Sequence, residues 1–208
     1  MKRRIILATI VMATLLVGVM GVSALNGEMG VSAANATLEY DFLVSPGRDL
    51  INADCDQSDP DTAFAECPDR ALASNGDVID IKGGGTLSLH PKSATGSGEF
   101  IHYFAGGGSM SGTWTATELL SFKTYGPSPI LDPSWRTGLA NIRVHLVSDD
   151  GTMEADAILS LGCILPEVKM PGGVYEGVRL KVQGGLNFND EVDPRATLFV
   201  LTSGDDGF

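Results

Sequence analysis

The sequence predicts an all-β molecule: a single antiparallel β-barrel or sandwich of about 8–10 strands that follows an N-terminal signal peptide or anchor helix. Three observations carry this expectation. Thr, Val, Leu and Ser recur between 26 glycines in short apolar-polar alternations, which is the period of a half-buried strand. Turn-forming residues separate those runs at short intervals, and nothing beyond the leader has helical periodicity. No repeat of about 20–50 residues is visible, which argues against a solenoid or propeller.

The leader comes first in the chain. Lys2, Arg3 and Arg4 form a cationic start, Ile5 to Val22 an apolar run, and Val22-Ser23-Ala24 a small-residue cleavage motif, the three parts of a secretory signal. The run is also close to the length of about 20 residues that a membrane helix needs, so retention as an N-terminal anchor is the alternative. We expect residues 1–24 to be the leader, 25–37 a linker and 38–208 one β domain. The expected location is secreted or in the cell envelope, with membrane contact only through an uncleaved N-terminal segment.

Cleavage after Ala24 removes three of 14 basic residues and none of 26 acidic ones, leaving 11 against 26 and a net charge of −15. Such a surface repels nucleic acid and anionic headgroups and attracts cations or basic partners, so nucleic-acid binding is set aside. In an oxidising compartment two of the three cysteines are expected to pair. Cys55 and Cys67 are close in sequence and flank a Pro60 loop, which makes them the expected disulfide. Cys163 is then a buried thiol or a handle for an intermolecular bond.

The first strand is expected at Leu38–Val44, where Leu38, Tyr40, Phe42 and Val44 alternate with Glu39 and Asp41. Residues 45–76 read as loop, with a short helical turn over Thr62–Ala73. Asn75-Gly76 turns the chain into Val78, Ile79 and Ile81, a strand expected to end at Gly83-Gly84-Gly85. Thr86–His90 is a separate short strand stopped by Pro91, Ser93–Gly98 a flexible stretch, and Glu99–Phe104 the next strand before Gly106-Gly107-Gly108. The most strand-like segment is Gly112–Tyr125, which places Trp114, Ala116, Glu118, Leu120 and Phe122 on one face, with Leu119 as the exception to the pattern. A proline-rich loop follows over Gly126–Gly138 and contains Trp135. Ile142, Val144 and Leu146 alternate with Arg143 and His145, and Asp150-Gly151 turns the chain into Met153–Leu161, the clearest hairpin signal. Val178, Leu180 and Val182 alternate with Arg179, Lys181 and Gln183, and Ala196–Leu201 supplies the last strand.

Candidate chemistry is sparse. Glu118 is the catalytic candidate: on the face of Trp114 and Phe122 a carboxylate would be desolvated, its pKa would rise, and it would serve as a general acid or base. Trp114, Phe122 and His102 are the candidate ligand-cavity residues. His102 lies between Phe100 and Phe104, and a packed, hydrogen-bonded histidine is the competing reading. Together with His90 and His145 it could supply a copper or zinc site, although no two histidines are spaced as a local chelate. Asp54, Asp56, Asp59 and Asp61 gather oxygen ligands suited to calcium, but they do not follow the EF-hand order. No cofactor other than that calcium is expected. The glycine runs lack the Lys-Ser/Thr of a phosphate loop, and no G-x-S-x-G motif occurs. Asn35-Ala36-Thr37 is a glycosylation sequon.

In outline the pattern resembles small-ligand barrels of the lipocalin or the allene oxide cyclase and dirigent type. The resemblance is one of architecture and carries over no site residue. The expected function is a non-enzymatic β protein that binds a small apolar ligand or assembles with copies of itself or with envelope components through sheet edges. The alternatives are a cavity-type enzyme or carrier using Glu118 and a metal-dependent extracellular module.

Overall fold

The computed structural model describes residues 37–45, 68–192 and 197–208. The expected leader, the linker up to residue 36, the Cys55–Cys67 pair and the acidic loop lie outside them. Ten strands follow in order: β1 Glu39–Val44, β2 Asp69–Ala73, β3 Val78–Leu89, β4 Lys92–Tyr103, β5 Ser109–Gly126, β6 Trp135–Ser148, β7 Glu154–Cys163, β8 Gly177–Val182, β9 Asn187–Glu191 and β10 Thr197–Ser203. Among the described residues there is no helix.

All pairings are antiparallel. From β2 to β9 each strand pairs with the next, and β9 returns to pair with β2, so eight consecutive strands close a ring of hydrogen bonds. The β1–β10 ribbon is inserted at one end of that ring. β1 takes the edge of β3 from Gly83 to Ser88, beyond the reach of β2, and β10 touches the start of β6 at Trp135 and Arg136. Every described strand therefore has a partner on both sides.

Two expectations about glycine are corrected here. Gly83–Gly85 does not end a strand, and Ser93–Gly98 is not a flexible stretch. Both are the middles of twelve-residue strands, with Gly83 opposite Gly98 and Gly85 opposite Gly96. The reason is Trp114. Its ring is 1% exposed, it donates from Nε1 to the Lys82 carbonyl at 3.0 Å, and it lies against the bare backbone of Gly83 and Gly98. A Cβ at Gly98 would fall 2.0 Å from the Lys82 oxygen and 2.5 Å from the indole nitrogen. Gly83 also has a φ of +142°, which side chains other than glycine rarely adopt.

The predicted helical turn ends differently as well: Asp69–Ala73 is β2, with Asp69, Ala71 and Ala73 buried in strand alternation. Trp135 opens β6 instead of lying in a loop, and β9 was absent from the expectation.

β5 explains the exception at Leu119. Its register against β6 slips between Ala116 and Glu118, between Leu119 and Ser121, and between Thr124 and Gly126. Each β-bulge adds one residue on β5 and reverses which parity faces inward. Trp114 and Leu119 are thus both buried, whereas the intervening Glu118 points out. The second bulge restores the original parity at Phe122, which packs between Tyr40 at 4.7 Å and Phe199 at 5.0 Å.

The ribbon end is closed by an ion pair. Arg136 holds Asp206 through two bonds of 2.6 and 3.0 Å, Tyr40 donates to the same carboxylate at 3.1 Å, and both charged side chains are nearly inaccessible. Burial alone would raise the Asp206 carboxyl, but the bonds and charge of Arg136 hold it below its usual value. Its stabilisation is full above the unfolded carboxyl pKa of about 3.9 and is lost as pH falls through the folded value.

Gly98→Ala is expected to destabilise the protein by about 3 kcal/mol or more, because neither the Lys82 carbonyl nor the enclosed indole can retreat. Gly106→Ala, where an added Cβ meets nothing within 4 Å, should change little. Chemical denaturation of the two variants checks this, and equal midpoints would refute the packing argument.

Candidate functional site

The chain order puts four hairpin turns at the same end of the ring: residues 74–77, 104–108, 149–153 and 183–186. The opposite end is filled by Tyr40, Phe42 and Phe199 of the inserted ribbon. Between the four turns there is a cavity of about 250 Å³. Phe100 on β4, Met110 on β5, Leu146 on β6, Leu180 on β8 and Phe188 on β9 line it, with Phe104 and Met153 at the turns. These side chains share the cavity because antiparallel neighbours place alternate residues on one face, and the registers put His102 beside Met110 and Leu180 beside Phe188.

His102 is the polar side chain in that apolar wall. Its ring lies 4.5 Å from Phe104 and edge-on to Phe188 at 5.3 Å. Nε2 is 2.8 Å from Asp77 Oδ2, while Asp77 Oδ1 accepts the Ala105 amide at 2.9 Å. The Asp77 amide in turn donates to Asn75 Oδ1 at 3.1 Å, an Asx turn that aims the carboxylate. The Ala105 hydrogen bond, with help from His102, holds the Asp77 carboxyl below its usual range despite partial desolvation. An ionised carboxylate only accepts hydrogen bonds, so the hydrogen between the two groups sits on Nε2. In the neutral ring the lone pair is then on Nδ1. That atom has no partner among the described residues.

The remaining sequence candidates are placed elsewhere. Glu118 is 56% exposed and meets Arg143 at 3.0 Å, so the expected desolvated carboxylate is corrected: the bulge beside it turns it to solvent. Trp114 packs on Phe42, Phe122 packs between Tyr40 and Phe199, and neither lines the cavity. The three histidines do not meet. His90 is exposed at the β3–β4 turn and His145 faces outward between Glu154 at 3.0 Å and Asp156 at 3.1 Å. Among the described residues, no group of three or more His, Cys, Asp or Glu side chains could hold a metal ion. Asp54, Asp56, Asp59 and Asp61 fall outside them. Cys163 is a buried thiol at the end of β7, its pKa pushed up by burial.

Asp77, Met110, Met153 and Phe188 are site residues that the sequence reading did not single out. Phe100, His102 and Phe104 did share one parity there, and this was the available signal for the cavity wall.

The sequence matches no protein-family model, and neither curated proteins nor solved structures match it.

His145 yields a pH prediction. Its pKa is raised by the Asp156 hydrogen bond, with added help from Glu154. The stabilisation from this contact is full below the unfolded imidazole value of about 6.5 and fades as pH rises through the higher folded value. In an NMR titration, Asp156→Asn should move the His145 midpoint down and leave the His102 resonances in place. An unmoved midpoint would refute the pairing.

Proposed function

We propose that this chain is an exported, non-enzymatic β-barrel protein that binds a small apolar ligand in the mouth of its barrel. The observation that carries the reading is the cavity of about 250 Å³ with apolar and aromatic walls and one oriented imidazole. Mostly apolar lining with a single placed polar group is the usual composition of small-molecule pockets, and barrel mouths are a common position for them. An apolar cavity of about 150 Å³ is enough for benzene, so this one suits a molecule of one or two fused rings.

Export is supported by the cationic, apolar and small-residue pattern of residues 1–24. The enzyme alternative loses its acid-base candidate, because Glu118 is outside and paired with Arg143. Assembly through sheet edges has less support than ligand binding, since each described strand already has two neighbours.

Titration with naphthalene or indole tests the reading. The methyl resonances of Leu146 and Leu180, which line the cavity, should shift together, and saturation at about 100 times Kd should add roughly 2.7 kcal/mol of stability. Met153→Trp, which fills the mouth, should abolish both effects while preserving the fold. Absence of any shift with either probe in the unsubstituted protein would overturn the proposal.

A further inference from the structure

We propose that the ligand is a neutral apolar molecule that donates one hydrogen bond, from a hydroxyl or N–H group, to Nδ1 of His102. The inference rests on the binding reading above and deepens it by naming the ligand's polar group.

The argument runs from the Ala105 amide inward. That N–H occupies Asp77 Oδ1 at 2.9 Å, which leaves Oδ2 for His102 Nε2 at 2.8 Å. Since an ionised carboxylate cannot donate, the ring hydrogen is held on Nε2 and Nδ1 is an acceptor. Phe104 and Phe188 pack against the ring, which lines the cavity, and restrict its rotation. A hydrocarbon ligand would displace water from Nδ1 and leave that acceptor unsatisfied, at a cost that a donor group avoids. A carboxylate would meet a lone pair with the Asp77 charge behind it. The apolar remainder of the wall has nothing to offer a second polar group.

Four probes of one shape test this at pH 8 on the full chain: 2-naphthol, naphthalene, 2-naphthoate and 2-acetylnaphthalene. In the unsubstituted protein 2-naphthol should bind about tenfold more tightly than naphthalene, with 2-naphthoate weaker still. Asp77→Asn supplies the decisive variant. The Ala105 amide keeps the side-chain oxygen of the asparagine, so its NH₂ faces Nε2, which must now accept. The ring hydrogen moves to Nδ1, and preference should pass from 2-naphthol to the ketone 2-acetylnaphthalene. Ring ¹⁵N chemical shifts, which report the tautomer directly, should show the same exchange, and His102→Phe should erase the difference between naphthol and naphthalene.

Equal affinity for naphthol and naphthalene in the unsubstituted protein would overturn this inference and leave the pocket standing. An unchanged preference in a folded Asp77→Asn protein would also overturn it. Failure of all four probes to bind would instead remove the binding reading, and this inference with it.

Discussion

The fold depends on one close approach, that of the Trp114 indole to the bare backbone of Gly83 and Gly98. A ring of that size is enclosed at the junction of β3, β4 and β5 only because two facing positions carry no Cβ. The contact fixes several things together. It sets the β3–β4 register, it binds the Lys82 carbonyl that faces the core, and it stacks on Phe42 at 6.3 Å, which brings β1 onto the distal half of β3. Burial of an indole is worth several kcal/mol, in the range lost when Trp is truncated to Ala in a core. The glycines here act as receptors for a large side chain, at the cost of their extra freedom in the unfolded chain.

The two ends of the ring differ because the chain fills one and not the other. At the ribbon end, β1 and β10 bring Tyr40, Phe42 and Phe199, and the Arg136–Asp206 pair closes over them. At the turn end no extra strand enters, and β8, β9 and β2, with five or six residues each, make a short wall against β3–β6, with twelve to eighteen. A solid core on one side and an apolar recess on the other follow from that difference in length. The rigid half positions the walls of the recess, so His102 and Met110 are set by strand pairing and not by loop conformation.

How much of this the sequence disclosed depends on whether the determining contact was local. Strand alternation in β6 and β8 was plain because Ile142, Val144, Leu146, Val178 and Leu180 declare their face at every second position. The glycine strands were misread as turns because glycine declares no face, and the need for it arises on another strand. Glu118 was misplaced for a related reason: a bulge lies between partner strands, and its trace in the sequence was the single break in parity at Leu119. Of the expected cavity residues, His102 lines the recess, while Trp114 and Phe122, selected by strand parity, pack against the aromatic rings that the ribbon brings in. Asp77 was hidden in a turn signal, since Asn75-Gly76 announces a change of direction and does not reveal which histidine the following carboxylate will meet.

The hydrogen bond from Ala105 to Asp77 also ties the glycine-rich turn after β4 to the turn that precedes β3, and through the Asp77 carboxylate to the imidazole in the recess. A displacement of that turn withdraws the amide, loosens the carboxylate and frees the imidazole to exchange its proton between nitrogens. By reciprocity, whatever grips the imidazole must also quiet the turn. Occupancy of an interior hollow would in this way become legible on the outside of the protein, at three consecutive glycines that another molecule can reach.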